Sequence, residues 1–370
     1  MKKLLKFLFL FFLQSLYNFT VKLYRKYFKN KTDTYFCKIY GKIYTPFYSL
    51  NGKINNNYPD IYNYEGKKME VFFQRNPYDP QYVYVDSKYF LFDLYNYSLE
   101  THFYHHSAIL ETMGKPVRKY GMLHESEIIL PEDYKIFRKH KGLENEYNLI
   151  FTYSDEILQS VPNSRFFIRY MRPWYGGTYM MSLSDGFRKN EGILSLDNYK
   201  HKSKNISIIS SGREKVPLHK FRNSIARRCK LNNLADVFGT IDGGTYCSIE
   251  EPLKDYRFSI VIENEITPYG CTEKITNCFA AMTIPVYLGA NKIDKLFNSD
   301  GIIQFNQNDD IESILKLCTK EYYEERIPAI IDNFNKVNIN KSEYDLIYEN
   351  YIQKDVGKLN PEEFSKLLIK

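Results

Sequence analysis

The sequence predicts an α/β protein made of two parallel-sheet units that face a cleft, and three observations carry that expectation. The chain has 370 residues, which suits two domains of about 150 residues each. Short apolar runs alternate with helical stretches from Met69 onward, the pattern of strand–helix–strand units. Several of those runs end abruptly in polar or acidic residues, as strands do where their carboxyl ends face a ligand.

In the first unit, EVFFQ (70–74) and YVYV (82–85) read as strands, and VRKYGMLHE (117–125) as a strand running into a loop. Pro131 to Lys141 reads as a helix, with Pro and two acids in its first turn, where the helix dipole favours them. YNLIFTYS (147–154) is a buried strand with a polar end. Residues 171–204 break the pattern with RPWYGGTYMMS and a run holding Lys200, Lys202 and Lys204, and the connection between the units falls there. The second unit starts at NISIISS (205–211), a strand into a Ser-Gly turn. Then come a helix at 220–231, a strand at 235–239, the strand YRFSIVIEN (256–264), a helix at 272–282, and strands at 284–289 and 301–305. From Asp309 the tail reads as helical and mostly polar. The divisions are 1–31, a basic and apolar segment; 32–68, a loop-rich stem; 69–195 and 196–345, the two α/β units; and 346–370, a helical tail.

The hydrophobic share, 44%, excludes a disordered or fibrous chain. Net charge is +7, but its placement says more than its size. Residues 1–31 hold eight basic residues and no acid, which leaves 43 bases against 44 acids in the rest. A nucleic-acid binder needs a basic face on its folded part, so nucleic acid is not an expected partner and a membrane surface is. Phe7 to Val21 is uncharged and apolar, and those 15 residues would rise ~22 Å as a helix. Counted from Leu4 to Leu23 the run reaches the ~30 Å of a hydrocarbon core, if Lys6 and Lys22 snorkel. The expectation is a single-pass or interfacial hydrophobic helix. A cleaved signal lacks its small-residue site, and a buried first helix is the third reading. Six Cys without paired spacing read as reduced thiols.

The block Tyr256–Gly289 carries most of the chemistry. Its apolar strand ends in Glu263-Asn264-Glu265, and Thr272-Glu273-Lys274 opens the next helix. Thr272 can cap that helix and Glu273 suits its positive end. Lys274 opposes the dipole, which makes sense beside a bound anion such as a diphosphate; otherwise it is a surface lysine on a capped helix.

FSIVIENE (258–265), CTEK (271–274) and TIPVYLG (283–289) resemble, in order and spacing, the donor-binding signature of the α-1,3-fucosyltransferases, glycosyltransferase family 10. ISIISSGRE (206–214), FRNSIARRC (221–229) and HESEIILP (124–131) are similar to further segments of that family, and the likeness runs over about residues 117–320. The resemblance implies a GT-B fold, two Rossmann-like domains facing a cleft, and inverting transfer of fucose from GDP-fucose to a glycan acceptor. It implies donor contacts at Ser211, Arg222, Glu263, Asn264, Thr272, Glu273 and Lys274, with Arg222 and Lys274 on the diphosphate. It also implies Glu125 as the base, with His124 and Glu127 as alternatives. Three positions depart from the pattern: Glu127 replaces a Pro, Glu265 a small residue, and Gly270 a Tyr whose stacking role Tyr269 could take. Those departures leave open another nucleotide sugar, or a glycan-binding protein without activity. The chain has no DxD motif, so a divalent metal and other cofactors are not expected. HFYHH (102–106) lacks a partner cluster and reads as structural or surface rather than as a zinc site. An enzyme of this kind would be membrane-associated, on a Golgi-type membrane in a eukaryote.

Overall fold

The computed structural model describes residues 68–74, 87–93, 99–110, 116–168, 173–176, 180–182, 186–188, 192–337, 342–354 and 356–368. The expected N-terminal helix, nearly all of the stem and the expected strand at 82–85 lie outside the described residues. Among the described residues no helix is long and apolar enough to cross a membrane.

The first sheet contains β1 (Met69–Gln74), β2 (Phe90–Asp93), β3 (Thr101–His105), β4 (Arg118–Leu123), β5 (Leu149–Thr152) and β6 (Ser164–Phe166). Its order is β2-β1-β3-β4-β5-β6, with every pairing parallel. β3, β4 and β5 are buried almost throughout, and β5 accordingly reads as an apolar run rather than as an alternating one. The helix expected at 131–141 is instead two short ones, α1 (Pro131–Tyr134) and α2 (Ile136–Lys139), broken at Lys135. The break lets Asp133 and Tyr134 reach polar partners while Ile136 and Phe137 enter the core. α3 (Asp155–Ser160) follows β5. The sequence pattern did not reveal three strands of this sheet, β2, β3 and β6, and the first two are rich in Phe, Tyr and His. A short antiparallel pair, β7 (Met180–Ser182) and β8 (Gly186–Arg188), lies in the segment between the sheets.

The second sheet follows the expected elements closely. In order come β9 (Lys204–Ile209), α4 (Pro217–Leu231), β10 (Asp236–Phe238), β11 (Tyr256–Ile262), α5 (Glu273–Ala280), β12 (Ile284–Leu288) and β13 (Ile303–Gln304). The sheet is parallel, in the order β10-β9-β11-β12-β13. The chain adds β10 on one side of β9 and then β11 on the other. A crevice therefore opens where the direction reverses, at the carboxyl ends of β9 and β11.

After β13 run α6 (Ile311–Leu315), α7 (Lys320–Glu325), α8 (Ile327–Lys336), α9 (Glu343–Ile347) and α10 (Pro361–Leu367). The last two return to the first sheet. Tyr344 is fully buried against Phe73, Phe92 and Phe103. Asp345 accepts from Ser87 Oγ at 2.6 Å and Lys88 N at 2.9 Å. Tyr351 Oη donates to Phe166 O at 3.1 Å. The polar look of the tail hides these inward aromatics. Among the described cysteines, Cys229, Cys271, Cys278 and Cys318 are buried free thiols.

Candidate active site

β11 ends the core of the second sheet at Ile262, and Glu263 is the first residue beyond it. Its side chain is buried, so its charge must be met locally. Thr272 N and Oγ1 donate to Glu263 Oε1 at 2.9 and 3.1 Å, and Lys274 Nζ lies 3.3 Å from Oε2. Lys274 Nζ also donates to Thr272 Oγ1 at 2.8 Å and lies 3.5 Å from Glu273. Thr272 Oγ1 caps α5 by accepting from Lys274 N. Burial alone would lower the Lys274 pKa; the Glu263 and Glu273 carboxylates outweigh it and hold the ammonium above its ordinary value. Burial raises the Glu273 pKa, Lys274 opposes that, and the charges of Glu263 and Glu125 add to it. Gly289, at the end of β12, permits this arrangement: a Cβ there would stand 2.5 Å from Glu263 Cγ.

α4 brings a second set of groups to the same crevice. Arg222 is buried, and its Nη1 donates to Ile262 O at 3.2 Å. Burial lowers its pKa, with Glu263 opposing and Arg213 reinforcing the shift. One turn earlier, His219 Nε2 meets Asn264 Oδ1 at 2.9 Å. Burial lowers the His219 pKa, and Arg222, Lys274 and Arg213 push it further down against the Asn264 hydrogen bond. Arg222 Nε and His219 Nδ1 are buried without a hydrogen-bond partner. Orphaned polar atoms of this kind call for an explanation, and an anion completing the set is one.

The first sheet supplies the opposite wall. β4 ends at Leu123, and the loop that follows carries Glu125. Glu125 N donates to His106 Nε2 at 3.1 Å, and His106 Nδ1 faces Asp133 Oδ2 at 3.4 Å. Tyr134 Oη donates to Glu125 O at 2.5 Å. Glu125 Oε1 accepts from Ser126 N and Oγ at 2.9 and 3.1 Å. His124 is buried, its ring edge-on to His105 and His106 with centroids 4.9 and 4.5 Å apart. Glu127 is half-buried; burial and the neighbouring Glu265 raise its pKa.

The two walls touch. Asn264 Nδ2 donates to Ser126 Oγ at 3.4 Å. Glu265 accepts from Glu127 N and Ile128 N, both at 2.9 Å, and from Tyr153 Oη at 3.0 Å.

Arg222, Glu263, Asn264, Thr272, Glu273 and Lys274 thus gather at one place, with Glu125 across from them. Two of the expected residues take no part in these contacts. The Ser211 side chain lies in the exposed turn after β9, where its carbonyl accepts from Thr240 Oγ1 at 2.8 Å. The Tyr269 ring packs edge-on against Phe166 at 5.5 Å, with Lys292 Nζ 5.5 Å from its centroid. His219, Ser126 and Tyr153 escaped the sequence reading. His219 sits one turn before Arg222 on the same helix face, a spacing that could have flagged it. Nothing in the sequence pointed to Tyr153. HFYHH forms β3 and the turn after it: His102 bonds Tyr104 Oη at 2.7 Å and His105 bonds Tyr344 Oη at 3.0 Å.

No family model matches the chain, and no curated protein matches it. Three solved structures show some similarity to the chain. A crystal structure of an α1,3-fucosyltransferase with GDP is 16% identical, aligned over 79% of this chain and 93% of its own, with a TM-score of 0.43. Another α1,3-fucosyltransferase structure is 15% identical over 76% of this chain and 92% of its own, with a TM-score of 0.42. One with GDP-fucose is 15% identical over 81% and 95%, with a TM-score of 0.40.

Proposed function

We propose that the chain is an inverting glycosyltransferase of GT-B type, moving fucose from GDP-fucose to a hydroxyl of a glycan acceptor. The observation that carries this reading is the pair Arg222 and Lys274, at the α4–α5 side of the crevice, facing a carboxylate loop from the other sheet. A nucleoside diphosphate leaving group develops negative charge as the sugar bond breaks. A buried guanidinium with an unpartnered Nε and a lysine at the first turn of α5 suit that charge. Thr272, Glu263 and Glu273 hold Lys274 in place, so the cation is set before the substrate arrives.

Glu125 is the proposed base. Its Oε1 is occupied by Ser126, and its Oε2 accepts from none of the described residues. It would take the acceptor hydroxyl proton while the acceptor oxygen bonds to the anomeric carbon and the carbon–phosphate oxygen bond breaks. One displacement inverts that carbon. Neighbouring cations supply the neutralisation, so no divalent metal is proposed as a requirement. An apolar N-terminal anchor on the membrane where acceptors are made completes the proposal.

The test is nucleotide release from a panel of sugar nucleotides, with and without a glycan acceptor. GDP released from GDP-fucose only with acceptor present, and lost in Glu125→Gln while GDP still binds, is the expected result. Release from a different sugar nucleotide would support the second reading, a transferase of the same fold with another donor. The loop Glu265–Gly270 favours that reading, because Tyr153 fills space beside it. Glycan binding without release from any donor, unchanged by Glu125→Gln, would sink both.

A further inference from the structure

We propose that Glu265 is a positioning residue: it joins the two sheets and sets where Glu125 stands across from Lys274. The kinetic part of this inference rests on the transferase reading above; the joining of the sheets does not.

Glu265 follows the strand end that holds Glu263 and Asn264, yet its carboxylate points its bonds at the first sheet. Oε1 accepts from Glu127 N and Oε2 from Ile128 N, each at 2.9 Å. Two consecutive backbone N–H groups on one carboxylate make a two-pronged, charge-assisted grip on the loop. Glu127 lies only two residues beyond Glu125. The Tyr153 hydroxyl, from the end of β5, lies 3.0 Å from Glu265 Oε1 and 3.3 Å from Glu125 O. It therefore touches both the gripped loop and the gripping carboxylate. Asn264 adds a weaker link to Ser126 at 3.4 Å. Successive residues of the second sheet, 264 and 265, thus hold successive residues of the Glu125 loop.

The grip forms against a like charge, since Glu265 raises the pKa of the Glu127 carboxyl nearby. Two N–H donors and one O–H donor outweigh that repulsion. A glycine makes room for the third donor: a Cβ on Gly270 would meet Tyr153 Cε2 at 2.8 Å. Gly270, Tyr153 and Glu265 act together, although they come from different sheets.

The experiment compares the full chain in detergent micelles with Glu265→Ala, Glu265→Gln and Tyr153→Phe. It reads hydrogen exchange at the amides of residues 127 and 128, GDP affinity by calorimetry, and transfer kinetics. Glu265→Ala should speed exchange of both amides by about tenfold or more, as loss of a local bond network does. Glu265→Gln keeps shape and one acceptor oxygen, so it should release one amide and protect the other. It also guards against an alanine variant that fails to fold. The kcat should fall about tenfold in the alanine variant with GDP affinity within about threefold, the signature of lost positioning rather than lost donor binding. Unchanged exchange in both Glu265 variants overturns the grip, and lost GDP affinity with kcat intact overturns the positioning role. A wild type that transfers from no donor removes the transferase reading alone, and the exchange comparison then decides the grip by itself.

Discussion

The Tyr153 ring occupies the space beside Gly270, and the Tyr153 hydroxyl donates to Glu265 Oε1 at 3.0 Å. One side chain from the first sheet thereby accounts for two oddities in a loop of the second. Gly270→Ala would put a methyl group 2.6 Å from Thr267 Oγ1 and 2.8 Å from the ring. Overpacking of this kind costs about 1–3 kcal/mol. Chemical denaturation should show that loss, and Tyr153→Leu in the Gly270→Ala background should recover part of it. Equal stability of Gly270→Ala and wild type would contradict the close approach.

Lys274 and Arg222 should part company in stability while agreeing in binding. Lys274→Met leaves Glu263 buried with its Thr272 bonds but no cation. Lys274 is 28% exposed, so a loss of about 2–3 kcal/mol is expected, below that of a fully buried broken pair. The stabilisation is present throughout the neutral range and is lost only as pH rises past the ordinary lysine value, because the folded pKa is raised. Arg222→Met breaks no ion pair closer than 4 Å among the described residues and should cost less. Both should weaken GDP by tenfold or more, about 1.4 kcal/mol each, in calorimetry. A GDP affinity untouched by either change would remove the diphosphate from this crevice.

Tyr344→Ala tests the return of the C-terminal helices to the first sheet. The side chain is fully buried among Phe73, Phe92 and Phe103, and its hydroxyl meets His105 Nε2 at 3.0 Å. Large aromatic-to-alanine changes in cores cost about 3–5 kcal/mol. Thermal unfolding should fall accordingly, while Tyr344→Phe should lose only the hydrogen bond.

The second sheet was legible because its strands are apolar runs with polar ends, its first helix opens on a Pro and its second carries a capping residue. Thr272 before Glu273-Lys274 is such a signal, and the cap is there. The first sheet was less legible. β2 (FLFD) and β3 (THFYH) mix rings and imidazoles, and their burial depends on Tyr344 and Asp345, more than 230 residues away in the chain. The helix at 131–141 failed for a similar reason: Asp133 and Tyr134 answer to His106 and Glu125, which no local pattern encodes. At the site, Glu263 and Lys274 were legible because charge at a strand end or first helix turn is locally odd, whereas Arg222, inside a basic helix, was implied only by the family resemblance. His219 and Tyr153 look ordinary in sequence, and only the folding of α4 and β5 brings them to the crevice.

His219 supplies a pH test of the same crevice. Its folded pKa lies below the ordinary histidine value, through burial first and then through Arg222, Lys274 and Arg213. The folded chain therefore binds fewer protons at this residue than the unfolded chain, and stability rises with pH through that window. The contribution is present above about pH 6.5 and is lost as pH falls towards the folded value. A bound diphosphate would reverse part of the penalty, because its charge offsets the cations that disfavour the imidazolium. GDP should then raise the melting temperature more at pH 5.5 than at pH 7.5, although its own terminal phosphate loses charge over that range. His219→Gln keeps a hydrogen-bonding group for Asn264 and cannot titrate, so it isolates the histidine's share. In that variant the extra acid stabilisation by GDP should vanish. If GDP stabilises wild type and His219→Gln alike at both pH values, the anion does not sit within reach of the imidazole.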